Sequence, residues 1–149
     1  MKAAFATAIA LTLGSLGTVA LAEDRSASPD GAAVYFIGVT DGATVSNPVT
    51  IGFGLRGMGV APAGHERDGS GHHHLLINRA AWGEGDSDAE ALELGLPADD
   101  NHRHFGGGQT EVTVDLPAGT HTLQLVLGDH NHVPHDPAVV SEVITITVN

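Results

Sequence analysis

Eight histidines fall in three short runs whose spacing is that of metal ligands. The runs are Gly71-His72-His73-His74-Leu75-Leu76-Ile77, Asn101-His102-Arg103-His104-Phe105-Gly106-Gly107-Gly108 and Gly128-Asp129-His130-Asn131-His132-Val133-Pro134-His135-Asp136. In an extended chain, residues two apart face the same side, with Cα atoms about 6.6 Å apart. His72 with His74, His102 with His104, and His130 with His132 therefore form three pairs. Each pair can converge on one cation held about 2.0 Å from each imidazole nitrogen. A single His-x-His is ordinarily a pair of surface residues, whereas three in one short chain point to a bound metal. Four ligands complete a tetrahedral or square site, so the pairs exceed one site. Some hold the others in place, or there are two sites. The candidate ligands are His72, His74, His102, His104, His130, His132 and His135.

The rest of the composition narrows the metal. The 149 residues include no Cys. That excludes a disulfide framework, a thiolate zinc site, an iron–sulfur cluster, a thiol nucleophile and a blue-copper centre. Direct ligands are limited to imidazole, carboxylate and the thioether of Met58, which would favour Cu(I). Met58 lies within Gly57-Met58-Gly59 and is expected in core packing or as a loop plug instead. Imidazole-rich sites accept zinc, copper, nickel or iron, and the Irving–Williams order ranks copper first, with zinc second here. Asp129 and Asp136 flank the third run. Either could accept the spare ring N–H of a ligating imidazole or simply cap a turn; the sequence leaves both open. His65, in a polar loop, and His121, on the leucine face of a strand, are expected to be structural. Gly106 to Gly108 permit a tight turn and are not a phosphate loop, since no Gly-Lys-Ser/Thr follows.

Charge excludes other partners. Eighteen acids against six bases give a formal charge of −12, unsuited to nucleic acid or anionic lipid. Glu84 to Asp100 carries seven acids and no base and reads as a solvated acidic loop. Its Asp86-Ser87-Asp88 lacks the ligand pattern of a calcium loop.

These residues need elements to position them. Residues 1–22 read as a signal peptide, with Lys2, the apolar run Ala3 to Leu13 and Ala20-Leu21-Ala22 as its cleavage site. A periplasmic or secreted location follows, with no stable membrane insertion after cleavage. Residues 23–31 read as a disordered leader, and residues 32–149 as one β-sandwich, His-rich domain. Period-two alternation predicts about seven strands: Ala33 to Val39, Val49 to Leu55, His72 to Asn78, His102 to Phe105, Thr110 to Leu116, His121 to Leu127 and Glu142 to Val148. Asp41 to Pro48 is turn chemistry. Such regular spacing fits an all-β, immunoglobulin-like antiparallel sandwich. One short helix is expected in the acidic loop, Asp88 to Leu94. Ser87 would cap it, Glu90 close a capping box, and Gly95 and Pro97 end it.

The same stretches resemble a known family of exported bacterial proteins, that of domain of unknown function 4399. The matching residues are V-Y-F-I (Val34 to Ile37), D-G-A-T-V (Asp41 to Val45), G-M-G-V-A-P-A-G (Gly57 to Gly64), G-H-H-H-L-L-I (Gly71 to Ile77), H-F-G-G-G-Q-T-E (His104 to Glu111) and L-G-D-H-N-H-V-P-H-D-P (Leu127 to Pro137). The resemblance places His72 to His74, His102, His104, His130, His132 and His135 in motif positions and implies no reaction. The long acidic stretch Ala80 to Leu96 departs from the family pattern.

The leading expectation is an exported metal-binding protein that sequesters copper or hands it to another exported metal-handling protein. Catalysis is not favoured, because no nucleophile or general-base Glu accompanies a His pair. The alternatives are a metalloenzyme with an open His-ligated position and a metal-free binding module switched by histidine protonation near pH 6.5.

Overall fold

Alternating apolar residues make strands because successive side chains point to opposite faces, so one face can be buried. The computed structural model describes residues 25–149; the expected signal peptide lies outside the described residues. In chain order the elements are β1 (Ala33–Ile37), β2 (Thr44–Val45), β3 (Val49–Arg56), β4 (Gly59–Val60), β5 (Ser70–Ile77), α1 (Asp88–Leu94), β6 (His102–His104), β7 (Glu111–Val114), β8 (Gly119–Gly128) and β9 (Ile144–Val148). One sheet runs β1-β3-β7 and the other β2-β9-β8-β5-β4, with β6 also paired to β5. The result is an antiparallel sandwich with one short helix in the acidic loop.

The core lies between the sheets. Val34, Ile51 and Phe53 from the smaller sheet meet Leu75, Ile77, Leu123, Leu125, Leu127 and Ile146 from the larger. The register explains which residues face inward. His73, Leu75 and Ile77 of β5 oppose Leu127, Leu125 and Leu123 of β8, so these alternate positions share the inner face. The others, His72, His74 and Leu76, must face away from the core. That second face is covered too, and every residue of β5 is buried. Leu76 and Val126 of this outer face pack under Ala91 and Leu96 from the acidic segment, with Trp82 alongside.

All seven expected strands are present, with ends shifted by no more than two residues. Three local expectations are corrected. The two-residue strands β2 and β4 add parallel pairings, to β9 and β5, in stretches too short to show a period. Helix α1 has the predicted bounds and ends at Gly95, but Ser87 is in helical conformation and makes no side-chain cap. Asp88 organises the turn instead, its Oδ2 accepting the N–H groups of Gly83 and Gly85. The leader is not loose from Arg25 onward. Ala27 bridges to Asp136, Ser28 N–H donates to the Asp136 carbonyl at 3.1 Å, and Asp136 N–H donates to that of Ser26 at 2.9 Å.

Gly71, immediately before the histidine run, is required by packing. A Cβ there would stand 2.5 Å from the Gly128 carbonyl oxygen and 3.0 Å from His135 Cε1 and Leu127 Cγ. Because the first neighbour is backbone, it cannot rotate aside. Gly71→Ala is expected to destabilise the protein by about 1–3 kcal/mol, the usual range for overpacking. A denaturant midpoint equal to that of the parent protein would show that β5 and β8 tolerate the extra carbon.

Candidate metal centre

Strand pairing gathers the first two histidine runs. On β8, His72 lies opposite Gly128 and His74 opposite Val126. On β6, His74 lies opposite His104 and Leu76 opposite His102. Residues directly opposite or two apart share a face, so His72, His74, His102 and His104 all project from the outer face of the larger sheet.

The geometry is tight. The Nε2 atoms of His72 and His74 are 3.1 Å apart. One donor atom from each of His72, His74 and His104 lies within 4.8 Å of the other two, in a group that could hold a metal ion. His132 closes the fourth side, its ring centroid 4.9 Å from that of His72, 4.6 Å from His104 and 6.1 Å from His74. His102 stands one step further out, edge-on to His74 at 5.2 Å. His72 and His74 are wholly buried, while His104 and His132 are half-buried.

Glycines make room for these rings. A Cβ on Gly128 would approach His74 Nε2 to 3.0 Å and the His132 backbone carbon to 3.4 Å, and one on Gly106 would collide with the His104 ring. The last two glycines of the Gly106–Gly108 run have no comparable imidazole contact.

His132 arrives by a turn, not by strand alternation. Asp129 N–H donates to the Val133 carbonyl at 2.9 Å and His132 N–H to that of Asp129 at 3.0 Å. His132 itself sits at φ 68°. The expected His130/His132 pair therefore does not form, since period two holds only in extended chain. His130 points away and contacts the Asn131 side chain at 3.0 Å. Nor does His135 join the group. Its buried ring lies between the Ser70 carbonyl, 3.2 Å from Nε2, and the Leu127 carbonyl, 3.4 Å from Nδ1. Of seven candidates, the structure gathers His72, His74, His104 and His132, keeps His102 adjacent, and leaves His130 and His135 outside.

The acids flanking the third run act on backbone. Asp129 Oδ1 accepts the N–H groups of Asn131 and Val133 at 2.8 and 3.0 Å, so it caps a turn. Asp136 pairs with the leader and lies 3.6 Å from Arg25 Nη1. Met58 packs against the core. His121 is buried with both ring nitrogens partnered, by Asn78 and the Pro117 carbonyl, and His65 is exposed beside the Ala63 carbonyl. His73 points into the core, 5.3 Å from the Phe53 ring.

Electrostatics keeps these imidazoles neutral. Burial pushes His72 down to about 4, helped by the like charges of His132 and His104, with Asp129 opposing. Burial also brings His73 to about 4. His102 falls to about 4 through burial and then the Arg79 guanidinium, with Asp99 opposing. His74, the most enclosed by other imidazoles, lies well below the usual range through burial and then the charge of His72. His104 is lowered by burial and then by His132. Neutral imidazole is the form that binds a cation. His72 Nδ1, His74 Nδ1, His102 Nε2 and His104 Nε2 are buried and make no hydrogen bond, at a cost of about 1–3 kcal/mol each. Packing alone would favour hydrocarbon here.

The sequence profile of the family described as Domain of unknown function (DUF4399) matches residues 51–149. That span contains all three histidine runs. Comparison with curated proteins and with solved structures finds no match to the chain.

The lowered values set an acid limit on the metal-free protein. Above pH 6.5 these groups are neutral both folded and unfolded, so no stability depends on them. As pH falls below 6.5 the unfolded chain takes up protons that His72, His73 and His102 refuse until about pH 4. Stability is therefore lost across that window, by about 1.4 kcal/mol per pH unit for each proton of difference. Denaturant midpoints for metal-free protein at pH 7.5 and 5.0 check this. Equal midpoints would show that the imidazoles are not held neutral.

Proposed function

The chain belongs to the family described as Domain of unknown function (DUF4399), and from that premise we propose that this member is an exported metal-binding protein that sequesters or transfers copper. The observation that carries this reading is the group His72, His74 and His104, in which one donor atom from each residue lies within 4.8 Å of the others, and in which the Nε2 atoms of His72 and His74 are 3.1 Å apart. Donors bound about 2.0 Å from one cation necessarily stand about 3 Å apart, so His72 and His74 need little movement to share an ion. His132, from the third run, lies outside that three-donor group, but its ring stands 4.9 Å from that of His72 and 4.6 Å from that of His104, and it would serve as the fourth ligand.

An all-imidazole set of neutral nitrogens suits divalent copper first and zinc second. Among the described residues the one thioether that would have favoured Cu(I), that of Met58, packs against the core instead. The sequence of residues 1–22 supports export to the periplasm or beyond. Among the described residues no helix is long and apolar enough to cross a membrane. Handing on the metal would require a second exported metal-handling protein, and the half-buried His104 and His132 are the side from which it would be approached.

Binding is favoured over catalysis because, among the described residues, the metal-holding group contains no carboxylate, and Asp129, beside it in sequence, is committed to backbone N–H groups and to Ser26. A metalloenzyme reading would use the same half-buried side as an open coordination position. The pH-switch reading loses ground, because burial pushes His72, His73 and His102 down to about 4, below the range in which an unperturbed histidine changes charge.

Titration with Cu(II) and with Zn(II), followed by thermal unfolding, tests the proposal. Free metal at about 100 times Kd should raise stability by about 2.7 kcal/mol. His104→Ala should abolish most of that gain, and His130→Ala should leave it intact. No stabilisation by either metal, or equal stabilisation of parent and His104→Ala, would overturn the reading.

A further inference from the structure

His132 is the one member of the imidazole group not fixed by a strand. It lies on a turn at positive φ, a conformation that a non-glycine residue adopts only when its surroundings impose it. Three contacts impose it. Asp129 Oδ1 accepts the N–H of the residue before His132 and of the residue after it, Asn131 and Val133. Leu96 N–H donates to the His132 carbonyl at 2.8 Å. Gly95 lets the turn approach, since a Cβ there would stand 2.9 Å from the Asn131 carbonyl oxygen and 3.1 Å from His132 Cβ.

Asp129 is buried, and its second oxygen is held by a distant part of the chain. Ser26 Oγ donates to Asp129 Oδ2 at 2.7 Å. The neighbouring Arg25 donates from Nε to the Pro134 carbonyl at 2.9 Å and from Nη2 to the His135 carbonyl. The backbone exchange between Ser26, Ser28 and Asp136 runs alongside. One short segment at the N-terminal side of the domain thus grips both the carboxylate that shapes the His132 turn and the carbonyls beyond it.

We propose that Arg25, Ser26 and Asp129 are positioning residues for the metal centre: the N-terminal strap holds Asp129, and Asp129 holds His132 against His72 and His104. This rests on the copper-binding reading above and adds to it that the fourth ligand depends on a segment about 100 residues away in sequence, Ser26 and Asp129 being 103 apart. The strands supply three ligands whether or not the strap is in place. Loosening the strap therefore turns a four-imidazole site into a three-imidazole one and speeds release of the metal.

The test compares the parent protein with Arg25→Ala/Ser26→Ala, Ser26→Thr, Asp129→Asn and His132→Ala, using Cu(II) alone as probe. The double variant should bind Cu(II) about 10- to 100-fold more weakly, the usual effect of removing a residue that orients a ligand. Its electron paramagnetic resonance spectrum should lose one coordinated nitrogen and match that of His132→Ala. Ser26→Thr, which keeps the hydroxyl, should restore both. Amide hydrogen exchange of Asn131 and Val133, measured without metal, should accelerate in the double variant and in Asp129→Asn. Parent-like affinity and spectrum in the double variant, or unchanged exchange, would overturn the strap. An unchanged spectrum in His132→Ala would overturn it too, leaving the three-histidine site standing. Absence of Cu(II) binding by the parent protein would instead overturn the copper reading, and amide exchange would still decide whether the strap shapes the turn.

Discussion

Burial of imidazole on the outer face of a sheet is the constraint that the rest of this structure serves. A sandwich needs one apolar face per sheet, and the larger sheet meets that need with its inner side. Its outer side carries His72 and His74 at 0% exposure, where hydrocarbon would be cheaper. Neutral imidazole nitrogens without partners cost about 1–3 kcal/mol each, and packing the rings together does not recover it. Several local features follow from accommodating them. Gly128 and Gly106 remove side chains that would occupy ring volume. The acidic segment lies over Leu76 and Val126, so the same face is apolar at one end and imidazole at the other.

The helix-bearing segment carries seven acids, mostly exposed, and buries only Ala91 and Leu96 among its residues. Its attachment is correspondingly narrow. Trp82 N–H donates to Gln124 Oε1 at 2.8 Å, and Arg79 pairs with Asp99 at 2.8 Å. Leu96 N–H then meets the His132 carbonyl. The cover of the apolar end is thereby joined by one hydrogen bond to the turn that completes the imidazole end.

Strand alternation made much of this legible in the sequence. His72 with His74 and His102 with His104 could be placed as same-face pairs because both lie in extended chain, where a period of two is enforced by geometry. That β5 and β6 are neighbours, so that His74 faces His104, depended on sheet order, which alternation does not encode. The third run misled for the opposite reason. Asp129 and Asn131 turn the chain, and a turn breaks the period that would have paired His130 with His132. His135 resembles a ligand by type and spacing, yet its ring is buried between the Ser70 and Leu127 carbonyls. The strap was invisible for another reason. Arg25 and Ser26 sit in a polar stretch whose composition reads as leader, and only the fold brings them to Asp129.

Three segments distant in sequence meet at this group, and each supplies imidazole to a point that none could form alone. β5 and β6 are joined by strand pairing, whereas the 129–135 turn is joined by Asp129, Leu96 and the N-terminal strap. A cation bound by all three would cross-link them, and a site that exists only in the folded chain converts binding energy into folding energy. For a domain without cysteine this matters, because no disulfide restrains its unfolded state. The Nε2 atoms of His72 and His74 face each other at 3.1 Å while their Nδ1 atoms are buried without a partner, so an ion held at Nε2 would leave those two Nδ1 groups as they are.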